Sequence, residues 1–266
     1  MPRRPATPRL TAVALTGLAL ALAMPGCSRK PTAPVATTPA AAPTQAVAKP
    51  VAVRPDRNDG VTYPVWGTLR DPLNDTRVEF DGGKLTMTVP PGLHDINPTL
   101  GGMKAPRLLQ EVTGDFTLEV TVTGDFAPGP TAAAEGLPSF HGAGLSLWVD
   151  DTTYLRLERN AWWNPTQGAY VCYTPLYEIF NGGRPEPTNP GVGSPAFFGG
   201  DTTRFRLERS GQYLTTSHSA DRGATWRAVP RVATTLPRKL QVGVGAVSTS
   251  AAPLTVVFED FQLTRK

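Results

Sequence analysis

Gly142-Ala143-Gly144-Leu145-Ser146-Leu147-Trp148-Val149 and, after the polar turn Asp150-Asp151-Thr152, the run Thr153-Tyr154-Leu155-Arg156-Leu157-Glu158-Arg159-Asn160 read as two strands of period two. Successive side chains of a strand point to opposite faces. Ala143, Leu145, Leu147 and Val149 therefore share a face with Leu155 and Leu157, and Ser146, Trp148, Tyr154, Arg156 and Glu158 share the other. The second half returns fifty residues later, Asp151 to Asn160 and Asp201 to Ser210 agreeing at seven of ten positions. Because strands of a sandwich often share short patterns, the echo signals two similar strand environments and not a duplicated domain.

Working outward, the same period recurs in short runs punctuated by Gly, Pro, Asn and Asp. Val78 to Phe80 and Lys84 to Val89 flank Asp81-Gly82-Gly83 as a hairpin, and Phe116, Leu118, Val120 and Val122 line one side of a strand over 115–122. Further strands are expected over 106–112, 169–174, 203–209, 212–218, 225–229, 239–247 and 254–263. No window sustains a helical period, so the expected class is all-β, a β-sandwich or jelly roll.

The first sixty residues read differently. Arg3, Arg4 and Arg9 precede an apolar run of about fifteen residues from Leu10 to Met24, which fits a secretory signal better than a membrane span. The run ends at Gly26-Cys27, which resembles the bacterial lipoprotein box and implies lipidation of Cys27; Met24 and Pro25 depart from that pattern, and plain cleavage near Cys27 is the alternative. Residues 28–60, rich in Pro, Ala, Thr and Val, have the composition of a semi-extended linker, leaving 61–266 for the folded domain. Eight of the 26 basic and two of the 22 acidic residues precede Val61, so the domain carries 18 bases against 20 acids. That balance removes the case for a nucleic-acid partner. With Cys27 lipidated, Cys172 has no disulfide partner, and about two hundred residues bury a core without one.

Trp66-Gly67, Lys84 to Pro90, His94-Asp95, Ala105-Pro106-Arg107, Gly114-Asp115-Phe116, Gly142 to Leu145, Leu155 to Arg159, Pro175-Leu176, Leu207-Glu208-Arg209 and Phe258 to Phe261, in that order, resemble domain-of-unknown-function family 1349. That family is similar to concanavalin A-like lectins and glucanases. The resemblance implies a concanavalin A-like β-sandwich of two curved antiparallel sheets, one concave and commonly used for ligands. It supplies no activity and no cofactor, and a structural calcium ion in an Asp-rich loop, as such folds sometimes hold, stays open.

Among groups that could carry chemistry, Ser219-Ala220-Asp221-Arg222-Gly223-Ala224-Thr225-Trp226 matches the Asp-box of sialidases, whose role is a tight turn over a packed Trp. The alternating acids of a glucanase are missing, since Asn160 and Ser210 follow Glu158 and Glu208. No metal-binding spacing occurs, Ser146 is a strand residue without a nucleophile elbow, and Cys172 reads as a small buried residue. His94-Asp95 could form a base pair or half a metal site, with a loop histidine bonded to backbone as the plainer role. The face with Trp148, Tyr154, Arg156 and Glu158 has the aromatic and polar groups of a sugar-binding surface; the alternative is a solvated face with a cross-strand ion pair. Trp162, Trp163 and Tyr170 would form its rim, and Arg206 and Glu208 repeat its Arg-x-Glu pair. The expected protein is a lipid-anchored envelope protein binding glycan or another envelope ligand without chemistry. A glycoside hydrolase or lyase using Glu158, Glu208 or Asp95, and a protein-interaction domain, are the alternatives.

Overall fold

The alternating runs pair as antiparallel neighbours in two sheets. The structure, a computed structural model, describes residues 59–97, 102–185 and 201–266, with 172–177 and 185 described by backbone alone. Cys27 and the signal and linker segments lie outside the described residues, as does the side chain of Cys172. The first sheet runs, in spatial order, β1 (Thr62–Tyr63), β2 (Gly67–Arg70), β5 (Arg107–Thr113), β15 (Lys239–Ser248), β7 (Phe140–Asp150), β8 (Thr153–Asn164), β9 (Ala169–Asn181) and β10 (Arg184–Pro185). The second runs β13 (Arg227–Ala228), β12 (Tyr213–Ser219), β11 (Thr202–Ser210), β6 (Phe116–Gly124), β16 (Leu254–Arg265), β4 (Lys84–Val89) and β3 (Arg77–Asp81), with β14 (Val232–Ala233) also beside β12. No helix occurs among the described residues. The fold is an all-β sandwich.

Register lines up the apolar halves of the strands. On the inner face of the first sheet Leu145 lies opposite Leu157 and Val244, and Leu147 opposite Leu155 and Val242. Across from them Leu118 faces Leu207, Val120 faces Phe205, and Phe258 stands between Val122 and Leu85. All belong to one buried core. Each such side chain contributes roughly 1.5–3 kcal/mol through lost water contact. In β16 the register slips between Glu259 and Gln262, where Asp260 takes a left-handed φ of 53°. The extra residue turns Phe261 inward after Phe258, so both rings reach Trp66, at 4.8 Å and 6.4 Å.

The echo strands β8 and β11 lie in different sheets, which fits similar environments better than a duplication. The last arginine of each is held differently: Arg159 donates to the Thr203 hydroxyl of β11 in the other sheet, and Arg209 to the carbonyls of Gly211, Leu236 and Pro237.

The two outer faces differ. That of the second sheet is open and polar, with Arg204 and Arg206 both donating to the Glu119 carboxylate and Arg206 stacked 4.0 Å over Trp226. That of the first sheet is covered by the segment between β4 and β5, whose Ile96, Met103 and Ala105 pack on Leu109, Trp148, Tyr154, Phe180 and Val247 as a second, smaller core.

Candidate functional site

The outer face of the first sheet is floored by glycine. Gly144 of β7 lies opposite Gly245 of β15, with Gly142 and Gly243 close by on the same face. A Cβ at Gly144 would stand 2.0 Å from the Leu157 carbonyl oxygen, and one at Gly243 1.9 Å from that of Leu108, so the strands approach too closely for any side chain there. At Gly142 the space is taken by the Glu158 carboxylate, 2.7 Å from where a Cβ would sit, and by the edge of the Phe140 ring.

At one end of this floor Trp148, Tyr154 and Phe180 stack in series, each neighbouring pair 4.8 Å apart at 16°. The Arg107 guanidinium caps Trp148 at 4.1 Å, and the Tyr154 hydroxyl donates to the Ile96 carbonyl at 2.5 Å. Burial pushes the Tyr154 phenol far above its ordinary range. Trp148 is 4% exposed and Tyr154 1%, so the expected open stacking surface is closed. The physical reason lies in the loop: Ile96, Met103 and Ala105 find their apolar partners in these rings, which no water then reaches.

At the other end the face is polar. Arg156 of β8 donates through Nε and Nη2 to Glu178 of β9, at 2.7 Å and 2.6 Å, and its Nη1 stands 3.6 Å from Glu158 Oε2. Asp95 reaches in from the covering segment, its carboxylate accepting the amides of Ile96 and Asn97. Arg156 is 7% exposed, Glu158 2% and Asn160 2%, yet Arg156 Nη1, Glu158 Oε2 and Asn160 Nδ2 make no hydrogen bond. Buried polar atoms left so are rare and costly, and each calls for an explanation.

Electrostatics agree with the geometry. Burial, with Glu178 and Asp95 adding to it and Arg156 opposing, pushes the Glu158 carboxyl up to about 7. Burial also raises Asp95. For Arg156 burial disfavours the charge, but Glu158, Glu178 and Asp95 outweigh it and hold the guanidinium protonated. A raised carboxyl erodes stability as pH climbs from its unfolded value of 4.5 to about 7, because over that window the folded state must give up a proton the unfolded chain has already released. Glu158→Gln should therefore raise the melting temperature at about pH 8 and leave it unchanged at about pH 4, where both states are protonated. Buried His141 and His218, both lowered by burial, act alike in variant and wild type and cancel from the comparison. Equal melting shifts at both pH values would contradict it.

The expected site residues thus divide. Trp148, Tyr154, Arg156, Glu158 and Asp95 come together under the covering segment. His94, adjacent to Asp95, diverges: its ring pairs with the Asp75 carboxylate at 3.0 Å, and its backbone bridges to Ser248. Trp162 and Trp163 are both half-buried near the end of β8, and Tyr170 packs on the main core. Arg206 and Glu208 lie on the open face of the other sheet, because β11 and β8 are not neighbours, and so take no part in this cluster. Glu178 and Asn160 join it unforeseen. The strand is expected over 169–174, whereas β9 runs on to Asn181 and carries Glu178 opposite Arg156.

The Asp-box forms a closed hairpin turn. Ser219 donates to Asp221, Gly223 donates to Ser219, and Thr225 donates to Asp221 through both amide and hydroxyl, which with exposed surroundings holds the Asp221 carboxyl down to about 2. Among the described residues no group of three or more His, Cys, Asp or Glu is arranged to hold a metal ion.

No family model and no curated protein matches the sequence. Among solved structures the chain is similar to a functionally unknown protein from Saccharomyces cerevisiae, with 20% identity and a TM-score of 0.53 over 76% of this chain and 97% of that one. It is also similar to the GH43 protein BlXynB from Bacillus licheniformis, with 12% identity and a TM-score of 0.52, covering 79% of this chain but only 38% of that one. The likeness shows the fold. A legume lectin-like domain from Entamoeba histolytica follows at a TM-score of 0.43, too low to bear on function.

Proposed function

We propose that this chain is an exported envelope protein, anchored through lipid on Cys27, whose sandwich holds a carbohydrate in the polar hollow between Arg156, Glu158 and Asn160 without reacting with it. The observation that supports this reading is the set of buried atoms lacking partners: two donors, Arg156 Nη1 and Asn160 Nδ2, and one acceptor, Glu158 Oε2. A hydroxyl both donates and accepts, so a ligand rich in hydroxyls satisfies a mixed set of this kind. The covering segment selects small ligands or chain ends over the middle of a long polymer. Trp148 serves as support beneath that segment and not as a stacking platform.

A glycan array probed with wild type and Asn160→Ala tests the reading. Binding to a defined set of sugars, weakened about tenfold or more by Asn160→Ala, is the expected result, since an unmade buried hydrogen bond is worth 1–3 kcal/mol. An array without signal would sink it. No helix of the described residues is long and apolar enough to cross a membrane, and the segment before Cys27 lies outside them. Metabolic palmitate labelling of wild type that disappears in Cys27→Ala is expected, and unlabelled wild type would remove the lipid from the proposal.

One observation favours a second reading, a glycoside hydrolase or lyase: a carboxyl raised to about 7 beside the Glu178 carboxylate could supply a proton at neutral pH. Turnover of an array hit, abolished in Glu158→Gln, would replace binding with catalysis.

A further inference from the structure

Charge in the buried cluster does not balance. Among the described residues the charged groups acting on Glu158 are Arg156 on its own strand, Glu178 on β9 and Asp95 on the covering segment, which with Glu158 itself makes three carboxyls to one cation. Arg156 is committed to Glu178 through two short hydrogen bonds. Asp95 is turned to the amides of Ile96 and Asn97. Glu158 is left with its Oε2 buried, 3.6 Å from Arg156 Nη1 and without a hydrogen bond. Taking an ionised carboxylate out of water is unfavourable by several kcal/mol unless a counter-charge is both close and hydrogen-bonded, and Glu158 shares its one nearby cation with Glu178. Up to about pH 7 the free chain relieves this by keeping a proton on Glu158; above that a bound cation would relieve it.

We infer that the hollow selects a sugar bearing a protonated amine, a free hexosamine, over the corresponding neutral or N-acetylated sugar. The inference rests on the carbohydrate reading above and specifies its ligand. An ammonium group donating to Glu158 Oε2 makes the charge-assisted bond the site lacks, and a neighbouring sugar oxygen accepts from Asn160 Nδ2 and Arg156 Nη1. Gly142, lacking a side chain, lets the Glu158 carboxylate and the Phe140 ring edge fill the space that a Cβ would need, which holds that carboxylate against β7. An N-acetyl group has no charge and would bring an acetyl carbon against that carboxylate.

Calorimetric titration of the full chain with glucosamine, N-acetylglucosamine and glucose, and with the galacto trio, tests the inference. At about pH 7.5 the free hexosamine of one trio is expected to bind about tenfold or more tightly than its two counterparts. Glu158→Gln should bring that ratio close to one, whereas Asn160→Ala should weaken all three and keep the ratio. Lowering the pH to about 5 should shrink the preference in wild type, as Glu158 takes up its proton, which tests the idea even if Glu158→Gln does not fold. Sugar binding without amine preference overturns the inference and leaves the carbohydrate reading standing. Amine preference that survives both Glu158→Gln and low pH places the cation elsewhere and overturns it as well. Binding of no sugar in either trio or on the array overturns both.

Discussion

Arg156→Met is expected to destabilise the fold by about 3–5 kcal/mol at neutral pH, the usual effect of removing one partner from a buried charge cluster. Among the described residues the arginine supplies the only positive charge acting on Glu158, and it is itself held protonated by Glu158, Glu178 and Asp95 together. Methionine approximates the shape of its stem, so packing against the sheet is largely kept and the loss reports charge. Chemical unfolding at about pH 7.5 and about pH 5 separates the terms: the deficit should shrink at the lower pH as Glu158 is protonated. Adding Glu158→Gln to Arg156→Met should recover part of the loss, since one of the stranded carboxylates is then neutral. A single variant within about 1 kcal/mol of wild type would mean that water reaches the cluster and screens its charges.

Phe258→Ala is the second large effect, about 3–5 kcal/mol through lost burial and the cavity left behind. Phe258 is fully buried, lies between Val122 and Leu85 in register, and is 6.4 Å from Trp66, so its removal loosens three strands of the second sheet and the ring cluster at its end. Phe80→Ala, a ring of the same size that is 44% exposed, is the control and should cost far less. Urea unfolding of the two variants side by side checks the pair, and equal losses would mean that the inner face does not carry the core.

The all-β class and the inward halves of the strands were legible because both follow from period-two alternation. Leu145, Leu147, Leu155 and Leu157 do share the core face, as the spacing predicted. What alternation cannot reveal is whether anything lies over the opposite face. Trp148 and Tyr154 point away from the main core, as expected, but into a second one. A signal for this existed in the loop: Ile96, Met103 and Ala105 are apolar residues in a stretch with no strand period, and such residues need partners. Adjacent His94 and Asp95 looked like a functional pair, yet neighbours along an extended chain point to opposite sides, one to Asp75 and the other toward Arg156. The Arg-x-Glu of the echo strand was legible as a pattern but not as a location, since the sheet a strand joins is decided by pairings far along the chain.

The strands that finish each sheet have a consequence for how copies of the domain meet. Among the described residues the first sheet ends in the two-residue strands β1 and β10, and β12 is flanked by the equally short β13 and β14. The remaining edge, β3, is five residues long with Arg77, Glu79 and Asp81 exposed along it. A long bare edge would recruit the strand of a neighbouring molecule, and β1, β3, β13 and β14 are each too short or too charged for that. At these edges adjacent copies find little backbone to pair with, so contact there leaves each domain with its own sheet.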